Sequence, residues 1–157
     1  MKTKTKVLIV IGIVLLLVGF WFFGTRNSLV SLKEDVEMQQ SQIETTLQRR
    51  NDLIPNLVAT VKGYANHEEA VIADARSKLA GSIESGDMES ISEANTALDS
   101  ALSKLLAISE NYPDLKASEQ FIALQDELAG TENRIAVARQ YYNEKLNTYN
   151  TKVQKFP

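Results

Sequence analysis

The stretch Val36–Val61, VEMQQSQIETTLQRRNDLIPNLVATV, decides the fold class. Val36, Ile43, Leu47, Ile54, Leu57 and Val61 recur at three-, four- and seven-residue intervals, with Gln40 and Arg50 in two slots of the same stripe. That is the period of one helix face. Pro55 lies inside the pattern, but the apolar phase continues past it, which reads as a kink, with a boundary near Asn51 as the alternative. This helix is expected to begin near Ser28 and to weaken at Gly63.

Upstream, Val7–Phe23 reads VLIVIGIVLLLVGFWFF, and the 19 positions from Val7 to Thr25 carry no charge. At 1.5 Å per residue they reach roughly 28 Å, about the thickness of a bilayer's hydrocarbon. Residues 7–25 therefore read as a transmembrane helix behind a basic stub, residues 1–6, with Lys2, Lys4 and Lys6. Trp21, Phe22 and Phe23 suit the far interface. A cleaved signal peptide is the rival reading; the run is long for one, and no small-x-small cleavage site follows. With no Cys in the chain, a lipoprotein is excluded. Gly12 and Gly19 share one face of the span and would allow close helix approach, although Gly is common in membrane helices. All 20 acidic residues and 14 of the 17 basic ones follow the span, so the part after it carries −6. Counting Lys and Arg places the N-terminus in the cytoplasm and the rest of the chain outside.

Downstream, residues 26–157 contain four Gly, three Pro and no long alternating run, so they read as helix throughout. Asn66 with Glu69 resembles a capping box opening a second helix with Ile72, Ala75, Leu79 and Ile83, which dissolves around Gly81-Ser82 and Ser85-Gly86. Asp87 caps a third, with the stripe Met88, Ile91, Leu98, Leu102, Leu105 and Tyr112, ending at Pro113. A fourth runs from about Asp114, with the stripe Leu115, Ile122, Leu128, Ile135, Tyr142, Leu146, Tyr149, Val153 and Phe156. Burying four such stripes predicts an all-α protein, a transmembrane helix followed by an antiparallel up-down four-helix bundle with long first and last helices.

Chemistry is sparsely encoded. Zero Cys and one His exclude thiolate nucleophiles, Cys-ligated metals and multi-His sites. His67 lacks the second His a zinc helix needs, since Val71 stands four residues on. No glycine-rich phosphate loop is present, and the negative charge argues against nucleic acid. The pairs Glu34-Asp35, Glu68-Glu69 and Asp126-Glu127 read as solvated faces. Tyr141, Tyr142 and Tyr149 fit a core better than a base-stacking platform. No catalytic residue, cofactor, metal or small-molecule substrate is expected. What stands out is polar residues on or near apolar stripes: Arg50 on the first helix, and Gln125, Glu132 and Arg139 on the last. If those helices are antiparallel neighbours, Arg50 meets Glu132 and Arg134 comes near Asp52, as an internal polar clamp or a partner surface.

The blocks Arg49-Arg50-Asn51-Asp52-Leu53-Ile54-Pro55-Asn56-Leu57-Val58, Thr60-Val61-Lys62-Gly63-Tyr64-Ala65 and His67-Glu68 resemble the signature of the LemA family. Tyr112-Pro113-Asp114-Leu115-Lys116-Ala117, with Phe121 and Leu124-Gln125, and Thr131-Glu132-Asn133-Arg134-Ile135-Ala136, with Ala138-Arg139, Tyr142-Asn143, Tyr149-Asn150 and Phe156-Pro157, resemble it in the same order. Members usually have Trp where this chain has Gln40, and many continue past the Phe-Pro. The resemblance implies a bacterial single-pass membrane protein with a helical bundle and no established activity, cofactor or substrate. It implies relatives in membrane remodelling, membrane-associated assemblies and membrane proteolysis. The expected function is a membrane-anchored scaffold or adaptor, self-associating or joined to another membrane protein. An accessory or sensor of a membrane protease or stress pathway is the first alternative, and a cryptic hydrolase the second.

Overall fold

A computed structural model of the chain describes residues 3–62 and 66–155. Lys2, Gly63, Phe156 and the side chains of Lys4, Lys6, Asn66 and His67 lie outside the described residues, and with them the basic stub, the weakening at Gly63, the capping box and the last stripe position. Every element among the described residues is helical: α1 (Thr3–Val61), α2 (Asn66–Ser85), α3 (Met88–Ser109), α4 (Pro113–Lys116) and α5 (Glu119–Gln154). The residues fall into two compact units, Met1–Gln39 with Tyr141–Pro157, and Gln40–Gln140.

Three boundaries differ from the sequence reading. The apolar run and the helix expected from Ser28 are one helix of 59 residues, which also passes through Pro55 without a break. Between Gly24 and Pro55 nothing removes a backbone donor or frees the backbone, so the hydrogen-bond ladder has no reason to stop. Helix α2 continues through Gly81 to Ser85. The helix expected from Asp114 is two: α4 spans four residues, and α5 starts afresh at Glu119. Tyr112 is pushed out of the helical region by Pro113 (φ −124°, ψ 88°), and Ser118 Oγ accepts a hydrogen bond from the Phe121 N–H at 3.5 Å, in the manner of an N-cap.

In the unit Gln40–Gln140, one apolar cluster draws on all five helices. Ile54, Leu57 and Val61 of α1 join Ile72 and Leu79 of α2, Leu98 and Leu105 of α3, Leu115 of α4, and Phe121 and Leu128 of α5. Of the α1 stripe, Ile43, Leu47, Ile54, Leu57 and Val61 are buried, whereas Val36 and Gln40 at its start are half-buried. On α5 the expected stripe positions Leu128 and Ile135 are buried, but the core position one heptad before Leu128 is Phe121, fully buried, whereas Ile122 is 43% exposed. Tyr112 is exposed too, at the end of the α3 stripe.

The α2–α3 turn rests on two residues. Gly86 sits at φ +68°, a conformation that L side chains rarely adopt, and closes the turn through its N–H to Ile83 O at 3.1 Å. Asp87 then caps α3, its Oδ2 accepting from the Ser90 N–H at 2.9 Å. That backbone hydrogen bond, assisted by the Ser90 side chain, holds the Asp87 carboxyl below its ordinary value. A depressed folded-state pKa stabilises above the unfolded value and is lost as pH falls through the folded one. Asp87→Ala is therefore expected to lower the melting temperature at neutral pH, and Asp87→Asn to keep the cap while abolishing its loss in acid; melting curves at pH 7 and pH 3 check both.

The other unit holds the apolar run. Leu8–Phe23 is exposed along the helix except at Gly19, which is half-buried, and Phe22 and Phe23 meet edge to face at 6.1 Å. One helix among the described residues is long and apolar enough to cross a membrane, and none of its most apolar window is buried. Thr25 Oγ1 donates to Trp21 O at 2.9 Å, and Lys145 Nζ reaches Asp35 Oδ2 at 3.2 Å. Tyr142, Leu146 and Tyr149 are half-buried, whereas Tyr141 and Val153 are exposed.

Candidate functional site

Among the described residues Arg50 is the one buried charge, its side chain 6% exposed in the middle of the α1 stripe. Its position follows from helical spacing: Leu47, Ile54 and Leu57 bury the same face and take Arg50 in with them. A guanidinium so placed must be paired. Its Nη1 donates to Asn95 Oδ1 at 2.9 Å and lies 2.7 Å from Glu132 Oε2. Its Nη2 lies 2.5 Å from Asp99 Oδ1. Asn95 Nδ2 in turn donates to Asp99 Oδ2 at 3.0 Å, one helical turn along α3. Three helices thus converge on one cation, which carries one positive charge against two negative ones.

The satisfaction is incomplete. Asp99 Oδ1 and Glu132 Oε2 meet the guanidinium as ion pairs outside hydrogen-bond alignment, and Arg50 Nε has no partner. Beside the cluster opens a cavity of about 310 Å³, whose polar lining is Arg50, Asp99, Ser103, Gln125 and Glu132. Leu57, Leu102, Leu106 and Leu128 form its apolar walls. Its size lies at the lower end of small-molecule pockets.

The other residues singled out by sequence are scattered. Arg49 is exposed and pairs with Glu127 at 2.5 Å. Asp52 does not meet Arg134; it accepts from Gln48 Nε2 at 2.9 Å, and Arg134 is exposed on α5 beside Gly130. Register explains this, because Arg134 and Glu132 are two residues apart on a helix and point about 200° away from each other. Pro55, Asn56, Lys62 and Asn133 are exposed. Arg139 is half-buried, with one terminal nitrogen enclosed and unpartnered. A Cβ at Gly12 or Gly19 would meet nothing within 4 Å. Asn95 and Asp99 were missed by the sequence reading. The signal was present: Asn95 interrupts the apolar stripe between Ile91 and Leu98, as Arg50 interrupts its own, and Asp99 follows four residues on.

The family model described as LemA family matches residues 39–157, which include the Arg50 cluster, the part of α1 from Gln39 to Val61 and all of α2 to α5. The chain belongs to the LemA family. Among its relatives is the Protein LemA of Metamycoplasma hominis, 28% identical over 90% of this chain and 67% of the relative. The Magnetosome protein MamQ of Magnetospirillum gryphiswaldense is 27% identical over 83% of this chain, and the MamQ 1 of Paramagnetospirillum magneticum 26% identical over the same share. The chain spans 58% of the length of these MamQ proteins. Arg49–Val58 and Thr131–Ala136, the LemA-like blocks of the sequence, are the segments that bring Arg50 to Glu132.

Proposed function

We propose that the chain is a membrane-anchored helical scaffold that gathers protein partners, itself included, at a bacterial membrane and catalyses nothing. Residues 7–25 span the bilayer, the basic stub stays in the cytoplasm, and residues 26–157 form an up-down bundle on the other side. The observation that carries the reading is helix α1, in which an unburied run with the length and apolarity of a span shares one helix with the core residues Ile43–Val61. An anchor of this kind confines its domain to a surface, where weak contacts become populated through high effective concentration. The kinship with the LemA family and with proteins named MamQ supports the same membrane-associated reading.

Crosslinking of the full-length protein in intact membranes, followed by mass spectrometry, tests the proposal. A ladder of homo-oligomers is the expected result. A single foreign partner, such as one membrane protease, with no self-crosslink would replace the scaffold by an accessory role, and an uncrosslinked monomer would overturn both.

A further inference from the structure

Lys145 of α5 pairs with Asp35 of α1, whereas Glu132, earlier on α5, pairs with Arg50, later on α1. The two helices are therefore antiparallel. From the Asp35–Lys145 pair, each 1.5 Å step back along α1 is matched by a step forward along α5. Residues 24–33 thus stand level with residues 147–155. The Lys155 N–H still donates to Thr151 O at 3.1 Å, so the helical rise carries to the end of this stretch. Leu29, Leu32 and Val36 of α1 and Tyr142, Leu146 and Tyr149 of α5 are half-buried, as the inner faces of such a pair would be.

The two level segments contain Arg26, Lys33, Lys152 and Lys155 and no Asp or Glu, although the chain after the apolar run carries −6. Lys33 is tied to Glu37 at 3.2 Å. Arg26, Lys152 and Lys155 are exposed and pair with no carboxylate of the described residues. We infer that the end of α5 folds back to the bilayer and, with Arg26, forms a cationic collar that binds anionic phospholipid headgroups. This rests on the reading of residues 7–25 as the span. With Thr25 at the edge of the hydrocarbon, Arg26 and Lys155 stand within about 2 Å of that edge and Lys152 within about 5 Å. A headgroup layer roughly 5–7 Å deep takes in all three. Lys33, about 12 Å away, lies beyond it. Basic side chains at this depth attract anionic lipid. The negative end of the α5 dipole favours Lys152 and Lys155 in any surroundings, but it is worth about half a charge and leaves a surplus. An acidic segment of a partner protein would have to reach these cations inside a layer already dense in lipid phosphate, so lipid is the occupant.

Trp21 is the one Trp of the chain and lies roughly 8 Å before Arg26 along α1, so its fluorescence reports the lipid beside the collar. The test reconstitutes the full-length protein in phosphatidylcholine bilayers with a minority of phosphatidylglycerol, bromine being carried on the acyl chains of one lipid or the other. At equal mole fraction, quenching of Trp21 is expected to show about a tenfold preference for phosphatidylglycerol at low salt, falling towards none in about 0.5 M NaCl. Lys152→Gln with Lys155→Gln should cut that preference to about threefold or less at an unchanged melting temperature, since both side chains are exposed. An undiminished preference in this double variant would overturn the inference, because the flank of the span alone would then account for it. Equal quenching by the two lipids would overturn it as well and leave the anchor standing. Quenching by neither lipid would remove residues 7–25 from the bilayer and sink the anchored scaffold together with the collar.

Discussion

Replacing Arg50 by methionine is expected to destabilise the helical domain by about 3 kcal/mol, as read from urea or thermal unfolding of the full chain in detergent. Methionine fills much of the volume, so the loss is electrostatic rather than a cavity effect. Without the guanidinium, Asp99 and Glu132 face each other as like charges, and Asn95 loses the donor to its Oδ1. The figure sits at the lower edge of the usual cost of breaking a buried pair, because both carboxylates keep part of their hydration at 37% and 47% exposure. The cluster is destabilising when halved and close to neutral when removed whole. Adding Asp99→Asn and Glu132→Gln to Arg50→Met should therefore restore most of the stability. Glu132→Leu alone should lower the melting temperature less than Arg50→Met, since Asp99 and Asn95 still hold the cation. A cost below about 1 kcal/mol for Arg50→Met would mean that the cluster contributes nothing net.

The second large effect lies on α5. Phe121→Ala is expected to cost about 3–5 kcal/mol, the range for emptying a buried aromatic site. Phe121 is fully buried in a cluster to which every helix contributes. Ile122→Ala, one position on, should cost about 1 kcal/mol or less, since its side chain is 43% exposed. Comparison of the two midpoints at unchanged denaturant slope measures the phase of α5 directly. Equal costs would place both side chains at the edge of the core and contradict the packing described.

That pair of neighbours also shows where the sequence was legible and where it was not. Helix α1 could be read in full from Val36 to Val61 because apolar positions alternate with Gln, Glu, Arg and Asp on every turn, so only one face can be buried. Phe121 and Ile122 are both apolar and lie 100° apart; the seven-residue interval to Leu128 and Ile135 marks Phe121, whereas the same interval counted from Leu115 marks Ile122. The second count fails because it crosses the break between α4 and α5, where the helical phase does not carry through. The join of the apolar run to the rest of α1 was missed for another reason. The change from apolar to polar composition after Thr25 marks a change of surroundings, whereas helix continuation depends on backbone donors and propensity, and these do not change there. At the site, Arg50 and Glu132 were readable as a level pair on long helices. Asn95 and Asp99 needed the third helix, whose contribution to that level no spacing rule supplies.

The Arg50 cluster joins residues that are far apart along the chain, and synthesis proceeds from one end. Asn95 lies 45 residues beyond Arg50, and Glu132 roughly 80 beyond it. At translation rates of about 5–20 residues per second, α1 waits roughly 4–16 s for α5. For most of that interval Ile43, Leu47, Ile54 and Leu57 have only α2 and α3 to cover them, two helices whose turn is local and quick to close. The cation completes its shell only when α5 has been made as far as Glu132, so its final ion pair forms late in synthesis. A nascent chain stalled before residue 132 would hold an open α1 face, the surface to which a chaperone or a neighbouring copy would bind first.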